Sequence, residues 1–186
     1  MPDNLITSWW TLCHYFGLPL EPQKTIQSFS QDSFLIYGAS STTGQYLVQL
    51  LAMAGCTRVF AVASPQHADS LRSFGATHII NYRDTDWVDQ VLRANGGEKV
   101  KYAVDIIATD TTLRRVGAAV GPSSKIAVLL PMKFGHEKLI SAAGESGELL
   151  WSLDEEREKD FFPQGGAVSF VRTFLYNTVS RVITAQ

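Results

Sequence analysis

A chain of 186 residues, 45% of them hydrophobic and 18% charged, can fill the core of one domain with at most an appendage. Its net charge of -2 argues against nucleic acid as a main partner. No apolar run approaches the roughly 20 residues that would span a bilayer, and MPDNLITSWW lacks a basic stretch ahead of an apolar core, so neither a membrane span nor a secretory signal is expected.

The first helix is expected from a cap at Asp3 or Asn4 through Phe16, with Leu5, Trp9, Leu12 and Phe16 at helical spacing. GLPLEPQ stops it, because Gly17 can end a helix and Pro19 and Pro22 resist continuing one. Cys13 and Cys56 stand far apart with no C-x-x-C pair and read as reduced thiols of a cytoplasmic protein. His14, His67, His78 and His136 are scattered without ligand spacing, so no metal site is expected.

From Phe34 an alternation begins. The apolar strand FLIYG leads into the helix TGQYLVQLLAMAG, closed by Gly55, and RVFAVAS leads into PQHADSLRSFGA, with Pro65 suited to the first helical turn. HIINY with DTDWVDQVLRANGG, and YAVDIIA with DTTLRRVGAAVG, repeat the pattern before a fifth strand, KIAVLLP. These strands are near-continuous apolar runs, which marks them as covered on both faces, in a parallel sheet with helices on each side. Right-handed crossovers then predict an α/β fold, a Rossmann-like doubly wound parallel sheet over 33–135. An N-terminal helix and linker occupy 1–32, and a mostly helical extension occupies 136–186. Within that extension DEEREKD reads as a solvated helix face, and VSFVRTFLYNTVSRVITAQ places Val171, Phe174, Leu175, Thr178 and Val182 along one helical face.

The turn after the first strand, GASSTTG, sits where such a fold places a phosphate. On the spacing of a dinucleotide turn its small residues fall at Ala39, Ser41 and Gly44, for the tight turn, the approach of the pyrophosphate and close helix packing. Ser41, Thr42 and Thr43 offer amides and hydroxyls at a helix N-terminus, a natural anion site. The same residues also suit a plain strand–helix turn capped by Ser40 or Ser41. The second strand ends in Ser64 with no acid to accept from ribose hydroxyls, whereas a serine hydroxyl can donate to a 2′-phosphate, so NADPH is favoured over NADH. His67 and the Tyr82–Arg83 pair read either as phosphate or adenine contacts or as ordinary surface residues.

The stretch YGASSTTGQYLVQLLAMAGCTRVFAVASPQHADSLRSFGATHIINYRD resembles the cofactor domain of medium-chain dehydrogenase/reductases, in particular the zinc-independent quinone-reductase-like branch and the fungal trans-acting enoyl reductases. The likeness covers about Leu5 to Met132. It implies that Ser41, Thr42, Thr43 and Gly44 lie beneath the pyrophosphate, that Ser64 meets the 2′-phosphate, and that Tyr82 flanks the adenosine. His67 stands where the branch often has lysine. Ile107–Ala108 and Leu129-Leu130-Pro131, at the ends of the fourth and fifth strands, are implied to face the nicotinamide. Family members also carry an N-terminal barrel-like catalytic domain, for which this chain has no room, so it reads as a truncated relative.

Three functional readings follow. The chain is the NADPH-binding domain of an enoyl- or quinone-reductase-type oxidoreductase acting on a small-molecule substrate, its cleft completed by a partner chain or a second copy. Alternatively it is repurposed for a non-redox step, a cyclisation or isomerisation, or it is a non-catalytic pseudoenzyme or a fragment of a longer oxidoreductase. For the non-redox reading Asp105, Asp110, Tyr37 and His14 are acid/base candidates, and no catalytic residue is assigned among them. Trp9, Trp10, Phe16, Phe170, Phe174 and Tyr176 are aromatic residues that either bury one another between subunits or pack within the chain.

Overall fold

A computed structural model describes residues 2–19, 29–134 and 148–172. The chain opens with α1 (Pro2–Trp10), which passes into a π-helical turn over Thr11–Tyr15. The apolar run SFLIY forms β1 (Ser33–Tyr37), buried at every position. Then α2 (Thr42–Met53), β2 (Arg58–Ala63), α3 (Ala68–Ser73), β3 (His78–Asn81), α4 (Trp87–Ala94), β4 (Val100–Asp105), α5 (Asp110–Ala119) and β5 (Val120–Val128) alternate. The strand β6 (Met132–Phe134) pairs antiparallel with β7 (Glu148–Leu150), and α6 (Glu155–Phe161) and β8 (Ala167–Phe170) complete the described elements.

The main sheet runs β3-β2-β1-β4-β5-β8 with every pairing parallel. This is the Rossmann order, with β8 in the sixth place. Side chains of β1 alternate between two cores, as the two-residue period of a strand requires. Phe34 and Ile36 join Leu12, Leu47, Leu51 and Leu71 beside α2 and α3, while Leu35 and Tyr37 join Trp87, Val91, Leu113 and Val116 from α4 and α5. Among the described residues no helix is long and apolar enough to cross a membrane.

The extension departs from the sequence reading at its end. Val168–Phe170, expected as the start of a helix, belong to β8, where Val168 pairs with Ile126 and Phe170 with Val128. The pairing covers the open edge of β5, a tertiary gain that outweighs the helical spacing. The remainder of that expected helix, 173–186, lies outside the described residues. The fifth strand also begins earlier than expected, at Val120, and its register on β4 slips between Val100 and Tyr102. Among the aromatic residues weighed for association, Phe16 is 2% exposed and packs on Tyr102, while Trp9 is 44% exposed. Phe170 is half-buried against the second core, and Phe174 and Tyr176 lie outside the described residues.

DEEREKD is a helix, as expected: the Asp154 carboxylate caps α6 by accepting from the Arg157 amide at 2.8 Å, and Phe161 and Phe162 turn inward. The docking of α6 on α5 depends on Gly117, where a Cβ would collide with the Phe161 carbonyl and lie 3.3 Å from the Phe162 ring. Gly117→Ala is therefore expected to lower stability by about 1–3 kcal/mol, despite the better helix propensity of alanine. A urea unfolding curve checks this, and an unchanged or raised midpoint would show that α6 is not seated there.

Candidate functional site

Strand β1 leaves the sheet through Gly38, whose φ of +86° is open to glycine and strained for other residues. The amides of Gly38 and Ala39 both donate to the Val62 carbonyl, at 3.1 and 3.2 Å, and the Ser41 amide donates to the Gly38 carbonyl at 3.0 Å. Ser41 caps α2, its hydroxyl oxygen accepting from the Gly44 amide at 3.1 Å. Gly44 rests so close to the strand exit that a Cβ would fall 2.6 Å from Ala39 Cα and from the Gly38 carbonyl oxygen. The third small residue of the turn thus serves helix packing, as its spacing implies.

These contacts narrow what the turn offers to an anion. The amides of Ser41 and Gly44 are taken by the turn itself, and Ala39 is fully buried beneath Gly44. The Thr43 hydroxyl donates to Asn4 Oδ1 of α1 at 3.0 Å, and the Thr43 carbonyl accepts from Ser8 Oγ at 3.0 Å. The amides of Thr42 and Thr43, in the first turn of α2, have no acceptor among the described residues. They and the exposed Thr42 side chain are the donors left for an anion.

Beside this turn lies an open cleft of about 370 Å³, lined among others by Tyr37, Gly38, Ser64, His67, Tyr82 and Ile107. It sits over the C-terminal ends of β1, β2 and β3, next to the β1/β4 pair where the strand order reverses, the customary ligand crevice of this architecture. Of the expected residues, Ser64, His67, Tyr82 and Ile107 are brought together here. Arg83, weighed in the sequence reading as a phosphate contact, joins them, and Gly38, Ser40 and Gln66 line the cleft without having been assigned. Arg83 stacks its guanidinium 4.6 Å from the centre of the Tyr82 ring and donates to the Ser64 hydroxyl at 3.1 Å. No carboxylate lines the cleft. Arg83, read with Tyr82 in the sequence as either a phosphate contact or a surface residue, follows it at the end of β3, the neighbour of β2 in the sheet.

Ile107 reaches the cleft because Asp105 shapes the loop after β4. Its Oδ1 accepts from the amides of Ile107 and Ala108, at 2.8 and 3.0 Å, and its Oδ2 from the Thr112 hydroxyl at 2.6 Å. Burial pushes the Asp105 carboxyl up, against the opposing pull of those donors. Asp105 has no exposed surface, which removes it as an acid/base group. Ala108, at φ +58°, is buried and does not line the cleft, and Leu130 is 37% exposed and also lies outside the lining, so neither borders this cleft.

A model of the zinc-binding dehydrogenase family matches residues 42–130. A trans-enoyl reductase of Gibberella fujikuroi is 33% identical over 105 residues, 56% of this chain and 28% of that protein. A second, from Alternaria alternata, is 36% identical over 118 residues, covering 63% and 33% respectively. Among solved structures, CurK enoyl reductase aligns with a TM-score of 0.69 at 20% identity, over 100% of this chain and 49% of that one. Escherichia coli quinone oxidoreductase complexed with NADPH aligns at 0.61 and 19% identity, over 91% and 43%. The chain is thus similar over residues 42–130 to the zinc-binding dehydrogenase family, and it shares its fold with part of these reductases. It spans about a third or less of the length of these curated reductases. Despite the family model's description, no group of three His, Cys, Asp or Glu side chains among the described residues could hold a metal ion.

In the lining of the cleft, burial raises the Tyr37 phenol from 10.0 to about 12, reinforced by the Asp105 charge and opposed by Arg115. The folded state therefore keeps a proton that the unfolded chain releases first. The resulting stabilisation is complete below pH 10 and is lost as pH rises towards about 12. Burial also raises the Tyr102 phenol, so an alkaline titration followed by phenolate absorbance is expected to show late-ionising tyrosines, and Tyr37→Phe to remove one of them and reduce the alkaline loss of stability.

Proposed function

We propose that this domain binds NADPH and serves an oxidoreductase of the enoyl- or quinone-reductase type. The observation that carries the reading is the end of β2, where Ser64 meets Arg83 and no carboxylate of the described residues lines the cleft. A carboxylate there would repel a 2′-phosphate, whereas a hydroxyl and a guanidinium both donate to one. Tyr82 offers its ring along the adenosine side, and the free amides of Thr42 and Thr43 meet the pyrophosphate at the N-terminus of α2. Ile107, held by Asp105, flanks the crevice on the nicotinamide side. The bound cofactor supplies a hydride, and the residues of this domain bind and orient it. The substrate is a small molecule held against the nicotinamide by a further domain, a partner chain or a second copy. A cytoplasmic location fits Cys13 and Cys56, neither of which is in a disulfide among the described residues.

Titration with NADPH and NADH, read by cofactor fluorescence or calorimetry, tests this. The wild-type chain is expected to prefer NADPH, and Arg83→Ala to weaken NADPH binding by about tenfold or more while changing NADH by less than about twofold. Ser64→Asp is expected to reverse the preference. Equal affinity of the wild type for both cofactors, or binding of neither, would overturn the assignment.

A further inference from the structure

Two consecutive arginines of α5 hold two different parts of the molecule. Arg114 pairs with both carboxylate oxygens of Asp160, at 2.8 and 2.6 Å, and so ties α5 to α6 on the surface. Arg115 is half-buried and reaches the other way, its Nη1 donating to the Tyr82 carbonyl at 3.0 Å. Tyr82 follows the last residue of β3, and its ring is the platform on which Arg83 lies. Arg83 in turn donates to Ser64. A chain of contacts therefore runs from the middle of α5 through the Tyr82 backbone and ring to the guanidinium and hydroxyl at the mouth of β2. Arg115 itself is not part of the cleft lining.

On the reading of the cleft as an NADPH site, we infer that Arg115 is a positioning residue for the 2′-phosphate, fixing the Tyr82–Arg83 segment so that Arg83 and Ser64 present their donors together. A guanidinium on an exposed strand end samples many rotamers. Its charge discriminates between cofactors when the backbone beneath it is fixed, because the ordering cost is then met before the ligand arrives. Arg115 supplies that fixation from a helix rooted in the core, through Leu113 and Val116 on either side of it in sequence.

The test is a double-mutant cycle on the full chain, with NADPH and NADH as probes. Arg115→Met keeps the apolar stem and removes the donor, and is expected to weaken NADPH by about tenfold while leaving NADH within about twofold. Arg115→Lys, which can still donate to the carbonyl, is expected to recover most of the loss. In an Arg83→Ala background Arg115→Met is expected to cost nothing further, since it acts through Arg83. Arg114→Met serves as the control and leaves both affinities unchanged. The inference is overturned if Arg115→Met weakens the two cofactors equally, or if its loss persists undiminished without Arg83, which would mean a long-range charge effect. Wild-type binding of NADPH with an inert Arg115→Met sinks this inference alone. A wild type that binds neither cofactor sinks the NADPH reading as well.

Discussion

The site depends on how closely α2 approaches the exit of β1. At Gly44 there is no room for a single methyl group between helix and strand. That contact brings the first turn of α2 over the end of the sheet, so that its unused amides open beside the cleft. Parallel strands deliver their C-terminal ends to this same edge, and the reversal of strand order between β1 and β4 leaves the space above them unfilled. Packing makes the crevice, and the chemistry of the crevice comes afterwards from a few residues on the surrounding loops.

Those loops divide the work by charge. The β1–α2 turn offers neutral amides, while the ends of β2 and β3 offer a hydroxyl and a guanidinium stacked on an aromatic ring. The loop after β4 offers an apolar side chain, Ile107, held by a carboxylate that faces inward and is consumed by three donors. The Asp105 carboxylate is thus turned away from the crevice. A cleft with donors on one side, an apolar wall on the other and no exposed carboxylate is selective for an anionic, partly aromatic ligand before any specific contact is counted.

The sheet was legible in the sequence because its strands are covered on both faces, and uninterrupted apolar runs such as FLIY and RVFAVA leave little alternative. The extension was less legible. Val168 to Phe170 carry a helical spacing into the next residues, and nothing local reveals that β5 has an edge to be covered. The site was half legible. Ser64 and Tyr82 line the cleft as the position of the strand ends suggested, whereas the packing and capping contacts of Thr43 and Ser41 were not legible. Small hydroxyl residues at a helix N-terminus serve capping, helix packing and anion binding equally well, and only the three-dimensional neighbours, Gly44 for one and Asn4 and Ser8 for the other, decide among these uses.

The seam between α1 and Thr43 has a mechanical meaning. Asn4 grips the side chain and Ser8 the main chain of a residue whose own amide is one of the two left for the ligand. α1 is in this way a strut braced against the first turn of α2. Whatever tilts or loads that strut shifts the turn with it, so the set of the two open amides and the posture of α1 rise and fall together.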